Sequence, residues 1–284
     1  MTKTVLITGT STGLGIAIAI QSAQAGHTVY ATMRNLDKRD ALDAAAKDAG
    51  VSLNVLPLDV QDSDSVTAAV DRIIAEQGRI DVLVNNAGMG YARSLEQADE
   101  SDIARILDIN YMGVVRCIKA VMPHMRKARA GHVINISSVG GLVGQPFNEV
   151  YCGAKFAVEG LTEAMASYIT PAFGIQFTAI EPGGIASEFA NTVLKQITET
   201  GGMLEDEYLP ILQKYVAGSQ TRQGEDVYQT ADQVAAVVLR EMQAEQPALR
   251  TRTSVWAEEF TRLKTGLDPD GRKQQQMVID QIMG

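Results

Sequence analysis

Thr4-Val5-Leu6-Ile7-Thr8-Gly9-Thr10-Ser11-Thr12-Gly13-Leu14-Gly15 decides the architecture. A short β-branched run meets a glycine-rich turn, and helical character begins at Gly13 and continues to about residue 25. Glycines allow a tight turn and close approach of a backbone to a ligand. Where a strand of a parallel sheet turns into a helix, the helix N-terminus faces outward and suits a phosphate. The spacing here is Gly-x-x-x-Gly-x-Gly, which differs from the Gly-x-Gly-x-x-Gly dinucleotide fingerprint. By itself the stretch also fits a plain strand–helix turn.

Outward from this junction the pattern repeats. Residues 27–32, 53–58, 80–84, 132–136 and 176–180 read as strands. Residues 36–48, 62–77, 99–128 and 148–173 read as helices between them. Repeated strand–helix units of this length predict an α/β fold, a Rossmann-like doubly wound parallel sheet of about seven strands with helices on both faces. No linker or shift in composition interrupts the chain, so residues 1–284 read as a single domain. Residues 187–226 break the pattern, with Gly201-Gly202, Pro210 and scattered Leu, Tyr and Met. They predict a helical insertion over the carboxyl edge of the sheet, where loops build ligand sites in such folds. A late helix at 231–245, a last strand at 248–254 and a tail at 255–284, helical from 272 to 283, complete the expectation.

Composition narrows the function. The net charge of −9, from 25 basic and 34 acidic residues, argues against a general binder of nucleic acid or anionic membrane. No apolar run reaches the roughly 20 residues of a membrane span. The start, Met1-Thr2-Lys3 running into Val5-Leu6-Ile7, lacks the pattern of a signal peptide. Cys117 and Cys152 make no disulfide framework, which fits a reducing, cytoplasmic setting. With His27, His124 and His132 they show no metal-ligand spacing, so no metal is expected.

A second stretch points to chemistry. In Tyr151-Cys152-Gly153-Ala154-Lys155 the phenol and the ammonium stand four apart and share a helix face. A free tyrosine has a pKa near ~10, and a fixed cation beside it favours the phenolate. Lowering it by about three units takes roughly 4 kcal/mol, within reach of a buried ammonium and a charged cofactor ring, and gives a general acid/base near neutral pH. Alone, the pair also fits a core tyrosine with a lysine reaching past it to solvent. At the end of the second strand the sequence reads Ala31-Thr32-Met33-Arg34. An acidic residue there hydrogen-bonds the ribose of NAD, whereas an arginine accommodates the 2′-phosphate of NADP. Arg34, with the Thr12 hydroxyl, predicts NADP(H); Asp37 leaves NAD(H) as the alternative.

Taken in order, Thr8-Gly9-x-x-x-Gly13-x-Gly15, Asp59, Asn85-Asn86-Ala87-Gly88, Asn110, Ser138, Tyr151-x-x-x-Lys155 and Pro182-Gly183 resemble the short-chain dehydrogenase/reductase family from Thr4 to Thr253. The stretch from Ser138 to Glu159 and Tyr30-Ala31-Thr32-Met33-Arg34 are similar to its 17β-hydroxysteroid and retinol dehydrogenase branch. The resemblance implies reversible hydride transfer between NADP(H) and an alcohol or carbonyl, with a bulky apolar substrate. It implies that Tyr151 is the acid/base, that Lys155 lowers its pKa and binds the nicotinamide ribose, and that Ser138 holds the substrate oxygen. Ser138 rather than Ser137 stands thirteen residues before Tyr151, the spacing common in the family. Asn110 keeps a proton relay within a disturbance of the long helix. The implied cofactor contacts are Gly9, Ser11, Thr12, Gly13, Leu14, Gly15, Arg34, Asp59, Val60, Asn86, Ala87, Gly88, Tyr151, Lys155, Pro182, Gly183, Ile185 and Ser187. Ser187 stands where the family often has threonine.

Tyr91, Phe147, Phe189, Val193, Leu194, Met203, Tyr208 and Leu209 are candidates for an apolar pocket, or for ordinary packing of the insertion on the core. The implied partners are a small alcohol or carbonyl and a second copy of the chain, as homodimer or homotetramer through the helices at 99–128 and 148–173. A non-catalytic NADP-binding redox sensor is the alternative, though such a protein has no need of Asn110, Ser138, Tyr151 and Lys155 together. A nucleotide-sugar epimerase or dehydratase would use the same Tyr–Lys pair with a Gly-x-x-Gly-x-x-Gly turn.

Overall fold

The computed structural model describes residues 2–186, 204–221 and 227–283. The strands are β1 (Thr4–Thr8), β2 (Thr28–Met33), β3 (Asn54–Pro57), β4 (Val82–Asn85), β5 (Gly131–Ile136), β6 (Ile175–Glu181), β7 (Gly184–Ala186), β8 (Tyr228–Thr230) and β9 (Arg250–Arg252). Seven of them form one sheet in the order β3-β2-β1-β4-β5-β6-β9, and β7 pairs with β8. Every pairing is parallel.

All five residues of β1 are buried, as a parallel strand covered on both faces requires. Alternate side chains go to opposite faces. Val5 and Ile7 join one apolar cluster and Leu6 the other. The first cluster is closed by α1 (Gly13–Gln24), α2 (Asp40–Ala49) and, from the other side of the chain reversal, α8 (Ala231–Gln243). The second is closed by α3 (Ser63–Gln77), α5 (Gly113–Ala128) and α6 (Glu149–Phe173). The remaining helices are α4 (Glu100–Leu107), α7 (Leu209–Thr221), α9 (Val255–Thr265) and α10 (Arg272–Val278). The strand order reverses direction beside β1, between β1 and β4, where α/β sheets of this kind open a crevice for ligands.

The predicted strands fall within a few residues of the observed ones. The helices need more correction. The helix expected at 36–48 is a tight turn, Leu36–Lys38, followed by α2, because the Asn35 side chain takes the Asp37 N–H at 2.9 Å and closes the turn first. The helix expected at 99–128 is α4 and α5 joined by a widened turn at Asp108–Met112. The expected helix at 272–283 is α10 with a widened last turn, Ile279–Met283. The tail also holds α9, a helix outside the expected elements; Ser254 caps it by accepting from the Ala257 N–H at 3.1 Å. Within the expected insertion at 187–226, the described part contains α7. It lies on the start of α6, where the Asn148 amide donates to the Tyr215 hydroxyl at 3.1 Å and the Phe147 and Tyr215 rings stand 5.9 Å apart.

Candidate active site

Three features bring the site together at the carboxyl edge of the sheet. The first is the turn after β1. Thr8 Oγ1 accepts from the Asn86 and Ala87 N–H groups, both at 3.0 Å. The Asn86 amide donates to the Thr8 and Gly9 carbonyls, both at 2.9 Å. Gly9 has φ +72°, and a Cβ there would stand 2.7 Å from Ala87 Cα. At Gly15 a Cβ would overlap the Gly9 carbonyl and lie 2.7 Å from the Asn86 amide nitrogen. Glycine is therefore required at both positions by contact with the loop after β4. Thr12, extended at the head of α1, makes no side-chain cap, and the first turn of α1 has no acidic residue. Its N–H groups are left open to an anion.

The second feature is the widened turn between α4 and α5. Asn110 is fully buried. Its Oδ1 accepts from the Met89 N–H and its Nδ2 donates to the Met89 carbonyl, both at 2.7 Å. Gly88 lies between this amide and α6: a Cβ on it would be 3.4 Å from Asn110 Oδ1 and 3.7 Å from Lys155 Nζ.

The third is the start of α6. Lys155 is 5% exposed, and its Nζ donates to the Ile136 carbonyl at 2.8 Å while standing 5.7 Å from the centre of the Tyr151 ring. Burial brings Lys155 down to about 8; a charged Glu159 would pull it back up. Burial pushes Tyr151 up to about 12, and a hydrogen bond with Ser138 draws it back. The Lys155 ammonium faces the Ile136 carbonyl. Ser138 is fixed in turn, its Oγ accepting from the Gly140 N–H at 3.0 Å, and the Val139 N–H donates to the Pro182 carbonyl at 2.9 Å.

The other expected contacts follow the same edge. Ser11 and Gly13 are half-buried and Leu14 is buried. Arg34 is exposed just beyond β2, and Asp37 is exposed in the next turn. Asp59 accepts from the Gln61 N–H at 3.0 Å, and the carbonyl of buried Val60 accepts from Arg116 at 3.1 Å. Pro182 is buried, Gly183 packs against Trp256 and Ile185 lies in β7. Ser187, Phe189, Val193, Leu194 and Met203 lie outside the described residues. Of the pocket candidates, Tyr91 is 1% exposed and packs with Ile106 and Val150 in the core. Tyr208 is turned to Glu96, its hydroxyl donating at 2.5 Å.

Sequence reasoning missed the groups that hold the site from behind. These are the Thr8 hydroxyl, the Ile136 carbonyl, and a buried chain in which Asn85 donates to Asn135 at 2.8 Å and Asn135 to Thr162 at 2.9 Å. The signal for the last was polar residues inside apolar strands.

A family model described as short chain dehydrogenase matches residues 3–198. The chain belongs to the short-chain dehydrogenase family. It is 38% identical to human retinol dehydrogenase 8 over 276 residues, 93% of this chain and 85% of that protein. It is also 38% identical to human 17-beta-hydroxysteroid dehydrogenase type 1 over 273 residues, 94% and 82% of the two chains. The crystal structure of a short-chain dehydrogenase from Streptomyces avermitilis superimposes with a TM-score of 0.76 at 30% identity, covering 99% of this chain and 97% of that one. The protein is thus an oxidoreductase of alcohol and carbonyl groups, in a family that binds a nicotinamide cofactor. Among the described residues no helix is long and apolar enough to cross a membrane, and no cluster of metal-ligating side chains occurs.

The burial of Lys155 has a measurable signature. Its folded pKa, about 8, lies below the ordinary 10.5, so between these values the unfolded chain binds more protons and stability rises with pH. The difference is worth about 3 kcal/mol. Denaturant unfolding of wild type and Lys155→Met at pH 7.5 and 10 is expected to show the wild type gaining on the variant by up to that amount. A difference independent of pH would contradict a buried ammonium.

Proposed function

We propose that the protein is an NADP(H)-dependent dehydrogenase/reductase of bulky apolar alcohols and ketones, with Tyr151 as its acid/base. The observation that carries this reading is the hydrogen-bonded pair of Ser138 and Tyr151 beside the buried Lys155 ammonium, one loop from a glycine turn with open N–H groups. The residues present fit a dinucleotide: the turn at 9–15 for the pyrophosphate, Arg34 and Thr12 for a 2′-phosphate, Asp59 and Val60 for the adenine end. Asn86, Ala87, Gly88, Pro182, Gly183 and Ile185 lie toward the nicotinamide end, with Ser187 next in sequence. Bound there, a nicotinamide supplies or accepts the hydride.

The chain's own part is orientation and proton transfer. Ser138 and Tyr151 hold the substrate oxygen with two hydrogen bonds. As negative charge grows on that oxygen, Tyr151 gives it its proton; in the oxidising direction it takes the proton back. Lys155 opposes the cost of the phenolate by its charge and holds the ribose hydroxyls. Asn110, bound at both ends of its amide to Met89, keeps the loop after β4 in register with Lys155 and the proton path beside it. α7, which lies on the start of α6 beside Phe147 and Asn148, helps exclude water from the Tyr151 end of the site.

The apolar substrate rests on Phe147 and Tyr215 beside the start of α6 and on the relatives named for retinol and hydroxysteroids. The chain works as one Rossmann-type unit, and its free Cys117 and Cys152 suit a reducing, cytoplasmic location. Leu107 and Met112 beside α5, and Phe156 and Tyr168 on α6, are 38–43% exposed, which supports self-association through these helices as a homodimer or homotetramer. Sedimentation at working concentration is expected to show no monomer; a monomer alone would contradict this.

Steady-state rates with NADPH and NADH against carbonyls from small ketones to steroids and retinals test the function. NADPH consumption with an apolar carbonyl is expected. Tyr151→Phe lowers kcat by roughly 10²–10⁴. Arg34→Ala, which removes a charge-assisted bond worth about 1.5–3 kcal/mol, raises KM for NADPH tenfold or more and leaves that for NADH unchanged. Equal NADPH binding by wild type and Tyr151→Phe with no turnover across the panel would favour the redox sensor.

A further inference from the structure

Tyr151, Lys155 and Glu159 follow one another at four-residue spacing along α6, so they lie along one face. Glu159 is 5% exposed, and Glu181, at the end of β6, is fully buried. Their carboxyl groups lie within hydrogen-bond reach of each other. The Ser137 hydroxyl, one residue before Ser138, faces Glu159. A Cβ on Gly141 would stand 2.7 Å from Ser137 Oγ and 3.0 Å from Glu159 Cγ, so the turn that carries Ser138 packs directly on the Glu159 side chain.

The cations around the pair bond other groups or Glu181, and among the described residues none hydrogen-bonds Glu159, although Arg250 Nε is buried without a hydrogen-bond partner. Arg252, from β9, meets Glu181 Oε2 at 3.1 Å and Glu258 of α9 at 3.0 Å. Arg250 meets Glu163 of α6 at 2.7 Å and Gln274 of α10 at 3.1 Å. Lys155 donates to Ile136. Glu159 has no ion-pair partner among the described residues. Written as two carboxylates, the pair leaves Glu159 Oε1 and Glu181 Oε1 as buried acceptors with no donor. Two like charges in contact away from water cannot both persist, and an unsatisfied buried acceptor is costly. One proton between them removes both faults, since a protonated carboxyl donates and its neighbour accepts.

We propose that Glu159 and Glu181 share a single proton, carried by Glu159, and that neutral Glu159 is a positioning residue fastening the Ser138 turn to the Tyr151–Lys155 helix without adding an anion beside Lys155. The directions of titration agree. Burial and the charge of Glu181 hold Glu159 well above the carboxylate range, with Ser137 and Arg250 pulling back and Glu163 pushing further up. Burial brings Glu181 to about 7 against the pull of Arg252 and Arg250. Among the described residues these are the two carboxyls held up.

The effect on turnover rests on the function proposed above; the shared proton does not. Infrared difference spectra of the full chain at pH 7.5, unlabelled against ¹³C-glutamate-labelled, are expected to show the C=O band of a protonated carboxylic acid, shifting in D₂O and lost in Glu159→Gln. In steady-state assays Glu159→Gln, which keeps a neutral donor, holds kcat within about threefold of wild type, while Glu159→Ala lowers it tenfold or more with KM for NADPH little changed. Absence of the band overturns the proposal, and where Glu159→Gln does not fold the labelled wild type decides alone. A band present with Glu159→Gln as impaired as Glu159→Ala overturns the positioning role. A fully active Tyr151→Phe would sink the proposed function and leave the band where it is.

Discussion

Parallel pairing of all seven strands constrains everything else in the molecule. Because the strands run one way, each of their carboxyl ends opens on the same edge. The turn after β1, Arg34 after β2, Asp59 after β3, Asn86 to Gly88 after β4, Ser138 after β5 and Pro182 after β6 all meet there. The reversal of strand order beside β1 separates the loops into a crevice. Hydrogen bonds then tie the loops across it, Thr8 and Asn86 between β1 and β4, and Val139 to Pro182 between β5 and β6.

Within that edge, burial acts on the two ends of the Tyr–Lys pair in opposite directions. It raises Tyr151 to about 12 and lowers Lys155 to about 8, because both charged forms are disfavoured away from water. At neutral pH the phenol keeps its proton and the lysine keeps its charge. Forming the phenolate near pH 7 from a group at about 12 requires roughly 7 kcal/mol of stabilisation. Under the proposed function the Lys155 ammonium, 5.7 Å from the ring and turned to the Ile136 carbonyl in the chain alone, supplies that stabilisation together with the positive charge of an oxidised nicotinamide. The shared proton of Glu159 and Glu181 keeps an opposing anion from accumulating behind the lysine.

Six of the seven sheet strands were legible, since both-face burial leaves β-branched apolar runs bounded by glycine and polar turns. The last, β9, was legible in place but not in character. Its Arg250 and Arg252 are buried because Glu163, Glu181 and Glu258 arrive from distant parts of the chain, and no local pattern announces that. The turn at Leu36–Lys38 was hidden for a simpler reason: Asn35, a side chain that competes with the backbone, closes it before the helix starts. Helix α9 carries its signal in Ser254, a capping residue followed by mixed apolar and acidic positions too short to stand out as a periodic pattern. The candidate site was legible as residue types at fixed spacings, and the described ones lie along one edge of the sheet. What spacing cannot show is orientation, as with the Lys155 amine held to the Ile136 carbonyl or Tyr91 drawn into the core.

The central claim is that Tyr151 becomes an acid/base only when cationic groups offset its burial. Tyrosine labelled with ¹³C at Cζ reports its own ionisation, so a nuclear magnetic resonance titration of the full chain, alone and saturated with NADP⁺, measures it directly; Tyr151→Phe assigns the signal. The account predicts ionisation near pH 12 for the chain alone and a fall of several pH units in the presence of NADP⁺. A Tyr151 signal that still ionises near pH 12 with NADP⁺ bound would contradict it.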